Sequence, residues 1–425
     1  MSTSPPTTSS PPLLTLDEAL GRLLGALDAP GSGALSGGFG GHPLETVSTF
    51  EALGRVLGED VVSTLDVPPA DNASMDGYAV RAAEVPAAGT QLPVSQRIAA
   101  GAVGQALKAG TAARIFTGAQ VPPGADAVVM QERCVAEGDA VRIDVAPASG
   151  EWIRRRGEDV RAGAVVLPAG TRLTPQALGM AASVGSGSLR VAQRPRVALF
   201  STGDELAMPG ETLRPGAIYN SNRYTLRALV EALGCHCDDL GIVPDDLPST
   251  RDALRRAAAG NDLIVTCGGV SVGEEDHLKP AVQAEGRLDL WSIAIKPGKP
   301  LAFGQVRRAD ASMAWFIGLP GNPVSSFVTF VLAVRPFLLR LQGALEVAPR
   351  AISMRADFDL PKADRRREFL RVRRNPGGGL NLFANQSSGV LTSVVWGDGL
   401  VDNPAGTAIR SGDAVRYLAF AELLS

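Results

Sequence analysis

The sequence predicts a multidomain protein of the α/β-plus-β class, and three observations carry that expectation. Its 425 residues exceed what one ordinary hydrophobic core serves. Between residues 195 and 345, continuous apolar runs alternate with amphipathic stretches, the pattern of a parallel sheet covered by helices on both faces. On either side of that region lie short alternating or β-branched runs between Gly and Pro punctuation, and 48 Gly with 30 Pro imply many turns.

Taken in order, residues 1–12 (MSTSPPTTSSPP) read as a polar, disordered tail without the apolar core of a signal peptide. LLTLDEALGRLLGAL (13–27) repeats Leu at helical spacing, with Thr15 placed as N-cap. A Gly/Ser-rich break (30–41) precedes a second short helix expected around 49–57. From 61 to 194 runs such as DAVVMQE and AVRIDV read as β-rich, with a small barrel or sandwich within 68–150. Residues 163–185 then give a strand, a turn and a short helix.

The α/β region opens with RVALFSTG (196–203), a strand ending in a Gly loop. RYTLRALVEALG (223–234) follows as an amphipathic helix closed by Gly234. DDLGIVPDD is a strand and loop, PSTRDALRRAAAG a helix, and DLIVTCGGVSVG (262–273) a strand ending in a second Gly loop. LWSIAIKPGKP (290–300), LAFGQV, AWFIGLPGNP (314–323) and a long helix near 323–342 complete it. FLRVRR, LNLFA and AVRYLAF beyond residue 347 read as a small all-β domain.

Composition excludes several functions. A formal charge of −3, from 41 basic and 44 acidic residues, sets up no global field for nucleic acid. The triple-arginine clusters at 154–156 and 365–367 are local, as expected of solvated faces or contacts to acidic segments. Four cysteines fit a reducing cytoplasm, and Cys235-His236-Cys237 lacks a second ligand pair at metal spacing. No run of about 18 apolar residues suggests a membrane span.

The chemistry concentrates where open α/β sheets bind ligands, at the carboxyl ends of their strands. STGDEL, VPDD, GGVSVGEED, IKPGKP and GLPGNPVSS all fall there. Gly269-Val-Ser271-Val-Gly273 fits the serine-nucleophile elbow G-x-S-x-G. Of three histidines, only His277 follows Ser271, six residues on, which cannot supply a triad across the site. The loop therefore reads as a phosphate cradle, with Gly268, Gly269 and Gly273 giving close approach and Ser271 a hydroxyl. In GLPGNPVSS, Pro320, Gly321 and Asn322 turn the chain, Pro323 starts a helix, and Ser325 lies in its first turn. Lys296 and Lys299 add positive charge. Asp204, Glu205, Asp245, Asp246, Glu274, Glu275 and Asp276 oppose them, which a divalent cation bridging carboxylates to phosphate would reconcile. Singly, each acid also suits a helix cap or first turn.

These loops, with DNASMDGYAV (71–80), FTGAQVPPGADAVVMQE (116–132) and RRRGEDV (154–160), resemble the molybdopterin molybdenumtransferase family, MoeA and the E domain of gephyrin. The resemblance runs over nearly the whole chain. It implies a central doubly wound α/β domain of the molybdopterin-binding fold (195–345) and a β-rich inserted domain (68–149). It also implies an elongated, discontinuous α+β dimerisation domain (13–67 and 150–194) and a C-terminal β-barrel (346–425). The implied reaction inserts molybdate into adenylylated molybdopterin and releases AMP, with Mg²⁺ or a similar cation, in a cytoplasmic homodimer. Its cleft would lie between the α/β domain of one subunit and the β-rich domain of the other. Transient contacts with molybdopterin adenylyltransferase and molybdoenzyme maturation proteins are implied too.

Carried over by position, Asp76 and Asp159 would face the cleft from the β-rich side. Glu205, Asp245 and Asp276 would bind the cation or orient substrate, and Lys296 would contact phosphate or molybdate. Thr117 takes a substrate-contact position, and Gly269, Ser271, Gly273 and Ser325 match loops that hold the pterin and its phosphates. Ser292 stands where some relatives carry lysine, which removes one candidate charge. Phosphoanhydride cleavage needs positioning and charge neutralisation more than a covalent nucleophile, in keeping with a chain poor in Cys and His. Molybdate, a tetrahedral dianion, suits helix N-termini, lysines and arginines, among them Arg154–Arg156. Two other readings stay open: an adenylyltransferase using the same α/β loops, and a non-catalytic scaffold of this fold.

Overall fold

The computed structural model describes residues 13–28, 43–270 and 277–424. Helix α1 (Leu16–Asp28) buries Leu16, Ala19, Leu23 and Leu27, the 3.6-residue stripe its sequence promised. Thr15 and Glu18 close its start as a capping box: the Thr15 hydroxyl accepts from the Glu18 N–H, and Glu18 accepts from the Thr15 N–H. The stripe packs into the α/β core beside Leu229 and Phe337, so α1 shares that core although it lies in the segment assigned to the α+β domain. Each leucine fully buried there contributes about 1.5–3 kcal/mol relative to exposure.

β1 (Leu44–Ser48) pairs antiparallel with Ser188–Ala192, and Val61–Val62 pairs with Val165–Leu167. Chain on either side of the insert is thus stitched together. The short helix expected around 49–57 is instead a 3₁₀ turn at Thr49–Glu51. Gly54 takes φ +74°, and Val56 and Leu57 are drawn into extended bridges with Arg172 and Val191. The insert contains β2 (Gly77–Val80), β3 (Thr90–Ile98), β4 (Ala112–Ile115), β5 (Ala127–Met130), β6 (Cys134–Glu137) and β7 (Ala140–Ile143). They form one sheet in the order β5-β2-β4-β3-β7-β6, with a small apolar cluster on each face. α2 (Pro175–Ser183) is capped by Thr174 as its T-P sequence suggests, and β8 (Ser188–Ala192) closes the region.

The α/β domain follows, with β9 (Arg196–Thr202), α3 (Ser221–Ala232), β10 (His236–Val243), α4 (Leu247–Ala258) and β11 (Leu263–Cys267). α5 (Leu278–Glu285), β12 (Gly286–Ser292), β13 (Pro300–Arg307) and β14 (Met313–Leu319) complete its sheet, ordered β10-β9-β11-β14-β13-β12. β10, β9, β11 and β14 run parallel. β13 and β12 are antiparallel to their neighbours, so the sheet is mixed rather than wholly parallel. The link Arg308–Ser312 is too short for a crossover and permits only a hairpin. Helices α1, α3 and the helix beginning at Pro323 cover one face, α4 and α5 the other.

That last helix runs as α6 (Pro323–Thr329), a π turn (Phe330–Val334) and α7 (Arg335–Leu341). By length and composition (mean hydropathy 1.6) it could cross a membrane, which the sequence reading did not credit, yet 94% of it is buried in the core. Phe337 meets Phe303 and Trp315 edge-on at 5.9 and 5.6 Å, and those two rings stack at 5.6 Å. At the C-terminus, β15 (Ile352–Ala356), β16 (Arg367–Arg374), β17 (Gly379–Leu382), β18 (Gly399–Asn403) and β19 (Ala414–Ala419) close into a barrel through the β16–β18 pairing. The two-residue strand Ile295–Lys296 joins this barrel at Arg367–Glu368.

Gly77 meets a steric demand of the MDGYAV stretch in this fold: a Cβ there would lie 1.8 Å from the Val129 carbonyl oxygen. Gly77→Ala should lower stability by about 1–3 kcal/mol, read as a drop in the urea midpoint. Gly179→Ala, in a helix with open space around it, should be neutral or slightly stabilising in the same measurement.

Candidate active site

Parallel register sets the floor of the site. Ser201 lies opposite Cys267, and Cys267 opposite Leu319, so the loops after β9, β11 and β14 emerge side by side. Gly268 holds the middle loop down at φ +94°, where a Cβ would sit 2.5 Å from the Thr202 carbonyl oxygen. A cleft of about 510 Å³ opens above them.

Two helices begin in that cleft. Asn220 caps α3, its Oδ1 accepting from the Arg223 N–H at 3.1 Å. Pro323 opens α6 with Asn322 extended before it. Both N-termini line the cleft and turn their positive dipole ends to it, although Pro323 has no N–H and the Val324 N–H is already donated to the Ser388 carbonyl. Asn222 ties the two together: its Nδ2 donates to the Gly321 carbonyl at 2.6 Å and to Cys267 Sγ at 3.0 Å. Burial pushes the Cys267 thiol up, against the Ser326 and Asn222 hydrogen bonds, so it stays neutral. The barrel closes one side, with Ser388 O accepting from the Val324 N–H and Gly389 on the wall. Ser201 Oγ, Thr202 Oγ1 and Asn220 Nδ2 are buried on this wall and have no hydrogen-bond partner among the described residues. Buried polar atoms of that kind call for a ligand or water.

Of the residues expected here, Glu205, Gly268, Gly321, Asn322 and Pro323 line the cleft. Gly269 follows Gly268 at φ +63°, the Pro320 carbonyl accepts from Cys267 Sγ, and Ser325 is buried in the first turn of α6. Asp245 lies in the next loop, its N–H donating to Asp204 Oδ1 at 3.4 Å. Asp246 is a helix cap, accepting from the Ser249 N–H and hydroxyl, which hold its carboxyl below the usual range. Ser271, Gly273, Glu274, Glu275 and Asp276 lie outside the described residues.

The lysines do not line this cleft. Lys296 pairs with Glu368 at 2.8 Å and Asp364 at 3.2 Å, where its strand joins the barrel. Glu368 is buried, and its hydrogen bond is the chief cause raising the Lys296 ammonium above its ordinary value. Lys299 lines a second cavity of about 920 Å³ with Arg365 and Arg366. Among the described residues, the lysines thus stand apart from Glu205 of the cleft, while Glu274, Glu275 and Asp276 of the expected shared rim lie outside those residues. A charge on the loop after β12 reaches the barrel carboxylates first, because Ile295 and Lys296 are hydrogen-bonded onto β16.

The β-rich side is a third location. Asp76 Oδ1 accepts from both the N–H and the hydroxyl of Thr117 at 2.7 Å, and these bonds, aided by Arg114, hold its carboxyl below the usual range. Neither residue lines the cleft of its own chain. Asp159 is exposed on a turn, its N–H donating to the Val67 carbonyl. Of the arginine cluster, Arg155 pairs with Asp71 at 2.7 Å and Arg156 with Asp66 at 2.5 Å. Cys235 and Cys237 are pushed up to about 12 and about 11 by burial, and no group of three metal-type ligands exists among the described residues.

Sequence reasoning missed Ser201, Thr202, Asn220 and Asn222. The signal available was N-S-N before an amphipathic helix, a capping pattern whose second Asn is free to reach across the site.

Two measurements follow from the charges. The Lys296 contribution to stability is complete below the ordinary lysine value of 10.5 and is lost as pH rises through the raised native value. Urea midpoints between about pH 9 and 12 should therefore fall more steeply for the native chain than for Glu368→Gln. Asp76 behaves oppositely: its contribution is present above the ordinary value of 3.8 and is lost as pH falls through the lowered one. Carboxyl NMR should find its midpoint below 3.8 and moved upward in Thr117→Val.

Comparison with known proteins matches this geometry. The family described as "MoeA N-terminal region (domain I and II)" matches residues 14–185, "Probable molybdopterin binding domain" 198–340, and "MoeA C-terminal region (domain IV)" 353–420. A "Molybdopterin molybdenumtransferase" of Haemophilus influenzae is 39% identical, covering 84% of this chain and 85% of the relative. One from a Nostoc species is 36% identical over 88% of each. The crystal structure of a molybdopterin biosynthesis MoeA protein from Pyrococcus horikoshii superposes with a TM-score of 0.81 at 30% identity, covering 96% of this chain and all of that one. Three matched regions in order, identity along most of the length and a shared architecture show that this chain belongs to the MoeA, or molybdopterin molybdenumtransferase, family.

Proposed function

We propose that this protein inserts molybdate into adenylylated molybdopterin, cleaving the adenylate and releasing AMP, as the names of its relatives suggest. The observation that carries the reading is the convergence of two helix N-termini on one cleft floored by Gly268 and Gly321. Such an arrangement offers backbone donors and positive dipole ends to a phosphoanhydride and holds its charge as a bond breaks. The unpartnered Ser201, Thr202 and Asn220 atoms suit the polar edges of a bound heterocycle.

Glu205, on the same wall, would repel a phosphate unless a cation came between them. With no three-ligand protein cage among the described residues, the donor set fits Mg²⁺ arriving with the substrate, which keeps several waters and binds through one or two carboxylates. Such an ion would neutralise phosphate charge; Glu205 would hold it, with Asp245 and Asp276 as the expected supporting acids. Asp76 and Asp159 complete the site in this reading by facing the cleft from the β-rich domain of a second copy, and the enzyme acts as a homodimer. Four free cysteines accord with a reducing, cytoplasmic setting.

The adenylyltransferase alternative is separated by incubating the protein with molybdopterin and Mg·ATP without molybdate. No adenylylated product should accumulate; accumulation would contradict the insertion reading. Asp76→Asn should abolish insertion while the dimer persists in size-exclusion chromatography. Asn222→Ala, which unties α3 from the Gly321 loop, should lower kcat/KM by about a hundredfold, the scale of a misplaced reacting group. Full activity in both variants would contradict the site described here.

A further inference from the structure

The β-rich insert holds two arginines together without an ion pair to either among the described residues. β3 and β4 pair in parallel with Arg97 directly opposite Arg114, where like charges destabilise a sheet. Neither forms an ion pair among the described residues. Both stack on one ring: the guanidinium carbons of Arg97 and Arg114 lie 4.7 and 4.6 Å from the Phe116 centroid. Arg114 is further fixed over Tyr78, with Nη1 donating to the Gly77 carbonyl at 3.1 Å and Nη2 to Gln131 Oε1 at 2.7 Å. Asp76 is near enough for Arg114 to help lower its carboxyl, but its Oδ1 already accepts both Thr117 donors, so it tempers the positive potential without pairing either arginine.

A fold that aligns two cations, orders them on an aromatic ring and leaves them unpaired has preorganised an anion site. We infer that Arg97 and Arg114 hold a tetrahedral oxyanion of the reaction, either molybdate or the adenylate phosphate, beside Asp76. This rests on the insertion reading, for which it supplies the anion-binding half on the β-rich side. Arg154–Arg156 cannot take that part as a group, since Arg155 and Arg156 are committed to Asp71 and Asp66.

The test uses the full-length protein and the variants Arg97→Gln, Arg97→Lys and Arg114→Gln. Equilibrium dialysis with molybdate and, separately, with AMP measures binding, while steady-state insertion gives KM for molybdate and kcat. Arg97→Gln and Arg114→Gln should each weaken one of the two anions about 10- to 100-fold, and Arg97→Lys less, because it keeps the charge but not the fork. Loss confined to molybdate, with its KM raised more than kcat is lowered, assigns the site to molybdate; loss confined to AMP assigns it to the adenylate phosphate. Arg97 is exposed, so Arg97→Gln should unfold at the native temperature and decides the matter even where Arg114→Gln does not fold. Unchanged binding of both anions by Arg97→Gln overturns the inference. A native protein that shows no insertion yet binds either anion in an Arg97-dependent way would refute the proposed function and leave this site standing.

Discussion

The burial of the helix from Pro323 to Leu341 is the constraint on which the rest depends. It is predominantly apolar and almost wholly buried, and only a core that surrounds it can hold such a helix in water. Residues of α1, α3, the central sheet strands and the C-terminal segment up to Leu423 all contribute to that surround. Because the helix cannot slide without exposing Phe327, Phe337 or Leu338, its first residue is fixed where β14 ends. Its N-terminus therefore faces the cleft as a consequence of core packing, and the Val324–Ser388 hydrogen bond binds the barrel to the same point.

Charge is distributed differently from what a single catalytic rim would require. Among the described residues the cleft has helix dipoles, amides and the Glu205 carboxylate; the lysines sit with Glu368, Asp364 and the arginines of the barrel; Asp76, Thr117 and the paired arginines belong to the insert. A reaction that moves phosphate and molybdate charge needs both signs at hand. In the proposed homodimer, a composite site with the insert of one copy facing the cleft of another would bring them together without burying unpaired charges in either chain.

Much of this was legible in the residues. Continuous apolar runs marked β9, β11 and β14, Gly and Pro marked the loops at their ends, and helical Leu spacing marked α1. The family pattern pointed to Asp76 with Thr117, and the two prove to be bonded to each other although 41 residues apart. What stayed hidden depended on contacts distant in the chain. Lys296 looked like a free phosphate ligand because Glu368, 72 residues on, carries no local signal of being its partner. Asn222 went unremarked because its acceptor, Gly321, is 99 residues away. Residues 49–57 had helical composition, but long-range strand bridges at Val56 and Leu57 overrode it. The antiparallel β13 was hidden for a different reason, since a buried strand reads the same in either direction.

The central claim is that the paired helix N-termini hold the adenylate phosphates. A crystal structure of the protein with adenylylated molybdopterin and molybdate tests it most directly. The account predicts phosphate oxygens at the first turns of α3 and α6, between Asn222 and Pro323, with Glu205 alongside. Phosphates seated instead in the cavity of Lys299 and Arg365, with the cleft empty, would contradict it.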